Sequence, residues 1–166
     1  QRSPRKKGPR MKPETPSNPP ASETLVAAQD VDALYTDPDP KLHANKQVVY
    51  RIQRDLIEAG QWELADRYLT ERYIQHNPNI RSGRAPFIAF FKGLGFKTKP
   101  VPEHLSMPVI QVIAQGDYVI VASVSTQPRP DDASKTFSTT WFDMFLIKDG
   151  KADEHWDSAP LFPPPA

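Results

Sequence analysis

The sequence predicts an α+β fold, with helices leading and an antiparallel sheet closing the chain. Three observations carry this. Apolar residues recur at helical spacing through residues 46–59 and 62–70, and again after Pro86. From Leu105 onward, β-branched and aromatic residues dominate and glycine turns punctuate them. A run of helices followed by a run of strands places the helices on one face of a sheet. With 166 residues, 38% apolar and 25% charged, the chain can bury one core.

Residues 1–22 stand apart. They hold six prolines, and six basic residues (Arg2, Arg5, Lys6, Lys7, Arg10, Lys12) against the single acid Glu14, a local charge of +5 in a chain of net +1. Such a segment has little to bury and reads as a flexible, solvated leader. A basic tail can also bind nucleic acid or an anionic surface. No aromatic side chain interleaves these basic ones, which argues against stacking on single strands, and no nucleic-acid partner is expected. No run of 18 apolar residues is present, so no membrane span is expected. The lack of cysteine removes disulfides, thiolate nucleophiles and Cys-bound metal. The chain opens on Gln1, which fits a processed product, cytoplasmic or exported after signal cleavage.

Residues 23–45 read as a connector. Leu25, Val26, Val31 and Leu34 allow a short helix there, and the Asp-Pro repeat from Asp37 to Pro40 is turn chemistry. Asn45 has the side chain of an N-cap. It would open an amphipathic helix over residues 46–59, with Val48, Val49, Ile52, Leu56 and Ala59 on one stripe and Gly60 just past its end. Trp62, Ala65 and Leu69 give a second helix ending near Thr70. Tyr73 to Asn77 is aromatic and polar, and Pro78 stops regular structure, so only short extra pairings are expected within residues 71–82. A third helix starts near Pro86, carries Phe87, Ile88, Phe90, Phe91 and Leu94, and ends at Gly95. Strands follow at 105–115, 118–126, 136–147 and from 151, with a polar loop at 127–134. The folded domain spans residues 46–160, and 161–166 is a tail.

The last two strands form a hairpin. A three-residue turn, Lys148-Asp149-Gly150 with a bulge at Gly150, would pair Ile147 with Lys151. Asp143 would then face His155 and Trp141 would face Asp157. All four would share one face with Phe145, because side chains alternate along a strand. A two-residue Asp-Gly turn would instead shift the register by one and put Asp143 on the face opposite His155 and Asp157. The bulged turn is preferred because it gathers the polar groups.

Helices, then the motif at residues 73–78 (YIQHNP), then the Phe-rich helix FIAFFKGL at 87–94, VIAQGDYVIV at 112–121 and WFDMFLIKDGKADEHWD at 141–157 follow in order. This succession resembles the SnoaL-like polyketide cyclases of the nuclear-transport-factor-2-like superfamily, over residues 46–158. The resemblance implies a conical fold: three N-terminal helices on a strongly curved antiparallel or mixed sheet that encloses a pocket. It implies intramolecular aldol condensation with no metal and no cofactor, driven by an aspartate near the end of the last long strand. Asp157 matches that aspartate. Asp143 matches a second polar position that is often His in cyclases, and a carboxylate there changes the protonation logic. The resemblance also implies a homodimer. Isomerases, dehydratases, lyases, epoxide hydrolases and non-enzymes share the fold, so a non-catalytic ligand-binding or dimerising module is the alternative.

In such a pocket Asp157 would be the general acid or base. Asp143 facing the same cavity would repel it, which favours one shared proton unless His155 acts as a cation between them. His76 and Asn77 would hydrogen-bond a substrate carbonyl and stabilise an enolate. Tyr73, Trp141, Phe145 and Trp156 would line the pocket against a hydrophobic carbonyl substrate. His76, Asp143, His155 and Asp157 are also metal ligands by type, but no local spacing supports a metal. Trp62, Phe87, Phe90, Phe91 and Phe142 read as core.

Overall fold

The computed structural model describes residues 25–161; the basic leader and residues 162–166 of the expected tail lie outside them. Helix α1, Val31–Leu34, is a single turn capped by Asp30, whose Oδ1 accepts from Ala33 N at 3.0 Å. Helix α2 is Pro40–Arg51. Its cap is Asp39, not Asn45: Asp39 Oδ1 accepts from the Lys41 and Leu42 amides, and Pro40 fills the first helical position, where its missing N–H costs nothing. Asn45 is buried within the helix and donates from Nδ2 to Gly116 O at 3.1 Å, tying α2 to the β2–β3 turn.

From Ile52 to Glu58 the helix continues as a π-helix. Ala59 N reaches Arg54 O, five residues back, at 3.1 Å, and Gly60 leaves the helix with φ +66°. A 3₁₀ turn, Trp62–Leu64, and the short helix α3, Ala65–Tyr68, complete the second helical stretch. Helix α4, Arg84–Gly93, is the expected Phe-rich helix.

The sheet has five strands in the order β1-β5-β4-β3-β2. They are β1 Leu69–Gln75, β2 Val109–Gln115, β3 Tyr118–Pro128, β4 Thr136–Lys148 and β5 Lys151–Asp157. Strands β2 to β5 form the expected antiparallel meander, while β1 runs parallel to β5 and makes the sheet mixed. β1 is therefore a full strand where only short pairings were expected, and it separates α3 from α4. Its alternation was hidden because Thr70, Glu71 and Arg72 are polar and one of its three buried residues, Leu69, Tyr73 and Gln75, is polar too. The architecture is α+β, with its helices on one face of a mixed sheet. Among the described residues no helix is long and apolar enough to cross a membrane.

The core lies between helices and sheet. Val49, Ile52, Leu56, Trp62, Tyr73 and Phe87 meet Val119, Val121, Phe145 and Ile147 there. Trp62, Phe87 and Phe91 form an aromatic cluster at centroid distances of 4.8 to 6.2 Å.

The β4–β5 hairpin departs from the expected turn. Lys148 pairs with Lys151, so the loop is the two residues Asp149 and Gly150, with φ of +51° and +73°. Two positive φ values mark a mirror-image turn of the kind that matches strand twist. A bulge then intervenes: Ile147 pairs with Ala152, but Leu146 pairs with Glu154, which leaves Asp153 as an extra residue on β5. The bulge restores the parity that the shorter turn removes. Asp143 faces Asp157 and Phe145 faces His155. The expected pairs were wrong, yet the shared face was right.

Candidate active site

A cavity of about 350 Å³ opens between the helices and the inner face of the sheet. Its walls are almost wholly apolar. α4 supplies Phe87, Phe90 and Phe91, the π-helix supplies Ile52 and Ile57, and Met107, Ile80, Tyr73, Trp141 and Phe145 close it. Against this lining stand a few polar groups: Asp143, His155, Asp157, Asn77, Gln53, Ser123 and Ser125. An apolar hollow with a small convergent polar set is the usual form of a small-molecule site.

Two hydrogen-bonded groups stand side by side here, one around Asp143 and His155 and one around Asp157. His155 Nε2 lies 3.0 Å from Asp143 Oδ1, and its Nδ1 lies 3.0 Å from Gln75 Oε1. Trp141 Nε1 donates to the same Asp143 Oδ1 at 3.1 Å, so Oδ2 has no hydrogen-bond partner among the described residues. Asp157 accepts from Asn77 Nδ2 at 2.6 Å on one oxygen and from Ala159 N at 3.0 Å on the other. Asn77 is itself fixed, its Oδ1 accepting from Asn79 N at 2.8 Å. Asp143, His155 and Asp157 each bring one ligand atom within 4.8 Å of the others, a set whose chemistry suits a cation as well as a proton network.

Of the residues named from the sequence, Asp143, His155, Asp157, Asn77, Tyr73, Trp141 and Phe145 line the cavity. His76 and Trp156 do not. His76 stacks on Trp156 at 4.4 Å and pairs with Glu154 Oε2 at 2.9 Å, and Trp156 belongs to a groove on the other face with Tyr118, Ile120 and Met144. The reason is alternation: Gln75, His155 and Asp157 point inward, so their neighbours His76 and Trp156 point outward. Asn77 lies inside, but its amide holds Asp157.

The cavity also presents a polar residue the sequence reading missed. Gln53, in the π-helix, is buried and faces the cavity. Tyr35 O–H donates to its Oε1, which turns Nε2 and its two N–H donors toward the hollow. Among the described residues that nitrogen has no hydrogen-bond partner. A glutamine within the apolar run Val49, Ile52, Leu56 was the available signal. Burial keeps both Tyr35 and Tyr73 protonated by pushing their ionisation above the ordinary phenol range, and the nearby Asp143 charge adds to it.

No curated protein sequence matches the chain. Residues 50–155 match the SnoaL-like domain. Among solved structures, the chain is similar to a candidate SnoaL-like polyketide cyclase from Jannaschia sp. CCS1, with 20% identity and a TM-score of 0.53 over 74% of this chain and 90% of that one. It is also similar to a candidate polyketide cyclase from Acidithiobacillus ferrooxidans, with 17% identity, a TM-score of 0.51 and the same two coverages. At these identities the likeness is one of fold.

Proposed function

Since the chain belongs to the SnoaL-like domain family, we propose that it is an acid/base enzyme acting on a hydrophobic carbonyl compound, of the aldol-condensation, cyclase or related lyase and isomerase type. The observation that carries this reading is the Asp143–His155–Asp157 cluster at the bottom of an apolar cavity. The relatives described as polyketide cyclases favour the aldol direction among these.

In this reading Asp157 takes the proton from the carbon beside the substrate carbonyl. The C–H electron pair moves into the C–C bond and the carbonyl pair onto oxygen, giving an enolate. Gln53 Nε2 donates to that oxygen, in a site where water is largely excluded and a fixed donor counts for more than in solution. The enolate carbon then attacks a second carbonyl of the same substrate, a C–C bond forms, and the resulting alkoxide takes a proton back from the aspartate pair. The reverse sequence cleaves the bond with the same groups. Asp143, fixed by Trp141 and His155, sets the charge beside Asp157. The aromatic wall of Phe87, Phe90, Phe91 and Trp141 fits a flat, partly aromatic or polyketide-like substrate. The test is exchange of substrate α-protons in D₂O, followed by NMR across a panel of carbonyl compounds. If no compound that binds the cavity exchanges, the catalytic reading is lost.

A second role for the outer sheet face rests on a separate observation. Ile113, Tyr118 and Phe142 are 58%, 44% and 53% exposed there, beside the groove lined by Ile120, Met144 and Trp156. An apolar surface of this kind supports self-association into a homodimer.

A further inference from the structure

Gln75 is buried at the end of β1, and the parallel register sets it beside His155. With its Oε1 turned to His155 Nδ1, two things are left unexplained. Gln75 Nε2 is buried with no partner among the described residues. His155 meanwhile stands between two acceptors, Gln75 Oε1 on one side and Asp143 Oδ1 on the other, each at 3.0 Å. A neutral imidazole has one N–H and satisfies only one of them. Buried polar groups that lack partners are costly and rare, so the arrangement calls for a resolution.

Half a turn of the amide resolves both. Nε2 then donates to His155 Nδ1, and His155 donates from Nε2–H to Asp143. Gln75 Oε1 then turns toward the Tyr73 hydroxyl, beside which the amide already lies: as placed, it lowers the phenol's ionisation, as a donor does. Burial keeps that phenol protonated, so it is a standing donor. Every group then has a complementary neighbour, in one directional line. We propose that Gln75 is a positioning residue that fixes His155 as the neutral Nε2–H tautomer, in a line running Tyr73 O–H to Gln75, Gln75 to His155 and His155 to Asp143. The charged and titratable groups facing His155 are Asp143 and Asp157 from its own face of the sheet and Tyr73 from β1. In this arrangement His155 presents no free lone pair to the cavity. It holds Asp143 as an acceptor and leaves the proton traffic to the aspartates.

The test needs no substrate, so it stands apart from the enzymatic reading. The ring nitrogens of His155 are assigned by ¹⁵N NMR on the full-length protein at neutral pH. The expected spectrum has a proton on Nε2 alone and a bare Nδ1. In Gln75→Glu the new carboxylate can only accept, so the ring should gain a second proton on Nδ1. A wild-type ring protonated at Nδ1 alone, or at both nitrogens, overturns the proposal. So does a bare Nε2 whose signal shifts on adding Zn²⁺, which would give Asp143, His155 and Asp157 to a cation. The wild-type spectrum decides even if Gln75→Glu does not fold.

Discussion

Asp143 and Asp157 stand directly opposite each other across β4 and β5, each held by its own N–H donors. Facing carboxylates repel unless a proton or a cation is shared between them. A fold that keeps such a pair inside an aromatic cavity sacrifices some stability there, as sites of proton transfer do.

Replacing Asp157 by Asn keeps the shape and removes the proton acceptor, but its one amide oxygen can accept from Asn77 Nδ2 or from Ala159 N and not from both. Exchange of α-protons should fall by about 10²–10⁴-fold. In thermal melting the lost hydrogen bond should cost about 1–3 kcal/mol, offset in part by the disappearance of a facing negative charge. An Asp157→Asn protein that exchanges as fast as the parent would remove Asp157 from the chemistry.

Gln53→Leu replaces the amide with a hydrocarbon of similar size. The Tyr35 hydroxyl loses its acceptor, which should cost about 1–3 kcal/mol in a urea titration. Exchange should fall by about 10²–10³-fold if Nε2 carries the enolate oxygen. Loss of stability with unchanged exchange would make Gln53 purely structural.

Asp153, the bulge residue, is buried and accepts from Thr70 Oγ1 at 2.8 Å and from both Arg72 Nε and a second Arg72 nitrogen. The Arg72 guanidinium first, then the Thr70 hydroxyl, hold its carboxyl below the usual carboxylate range against the opposing effect of burial. A depressed carboxylate stabilises the fold above its unfolded value of about 3.9, and this contribution is lost as pH falls through the folded value. Asp153→Asn should therefore melt lower than the parent at pH 7, and the gap should narrow below about pH 4. A gap independent of pH would show that the bulge needs the side chain's shape and not its charge.

Gly150 has φ +73° and open space where a Cβ would go. Gly150→Ala should cost about 1 kcal/mol from backbone strain alone, read from denaturant unfolding. α-Proton exchange should be unchanged.

On the outer face, Trp156→Glu should turn a self-associating protein into a monomer in sedimentation velocity, with α-proton exchange preserved because Trp156 lies outside the cavity. A parent that is already monomeric at high concentration would dispose of the dimer.

The helical stretches and the antiparallel meander were legible because each rests on periodicity over many residues, whereas the convergence of Asp143, His155 and Asp157 hung on the choice of one turn. The failures have local causes. Asp39-Pro40 carried two meanings, turn and helix start, and only the buried contact of Asn45 with Gly116 separates them. β1 hides its period behind a polar composition that the Asp153–Arg72 pair satisfies. His76 and Trp156 were drawn in by residue type although strict alternation sends them outward. Gln53 and Gln75 were invisible as functional groups because a glutamine gains that meaning only from what surrounds it. The hairpin reached the right face by a wrong turn and an unforeseen bulge, two shifts of one residue that add to two and so restore the face.

That even step makes the count of residues between Asp143 and Asp157 matter more than their identity. Relatives that lengthen or shorten this segment by two would keep their acids indoors, whereas a single insertion or deletion would carry Asp157 to solvent and bring Trp156 in beside Asp143. Tolerance to length change along the hairpin should therefore run in even steps, a pattern readable by counting letters.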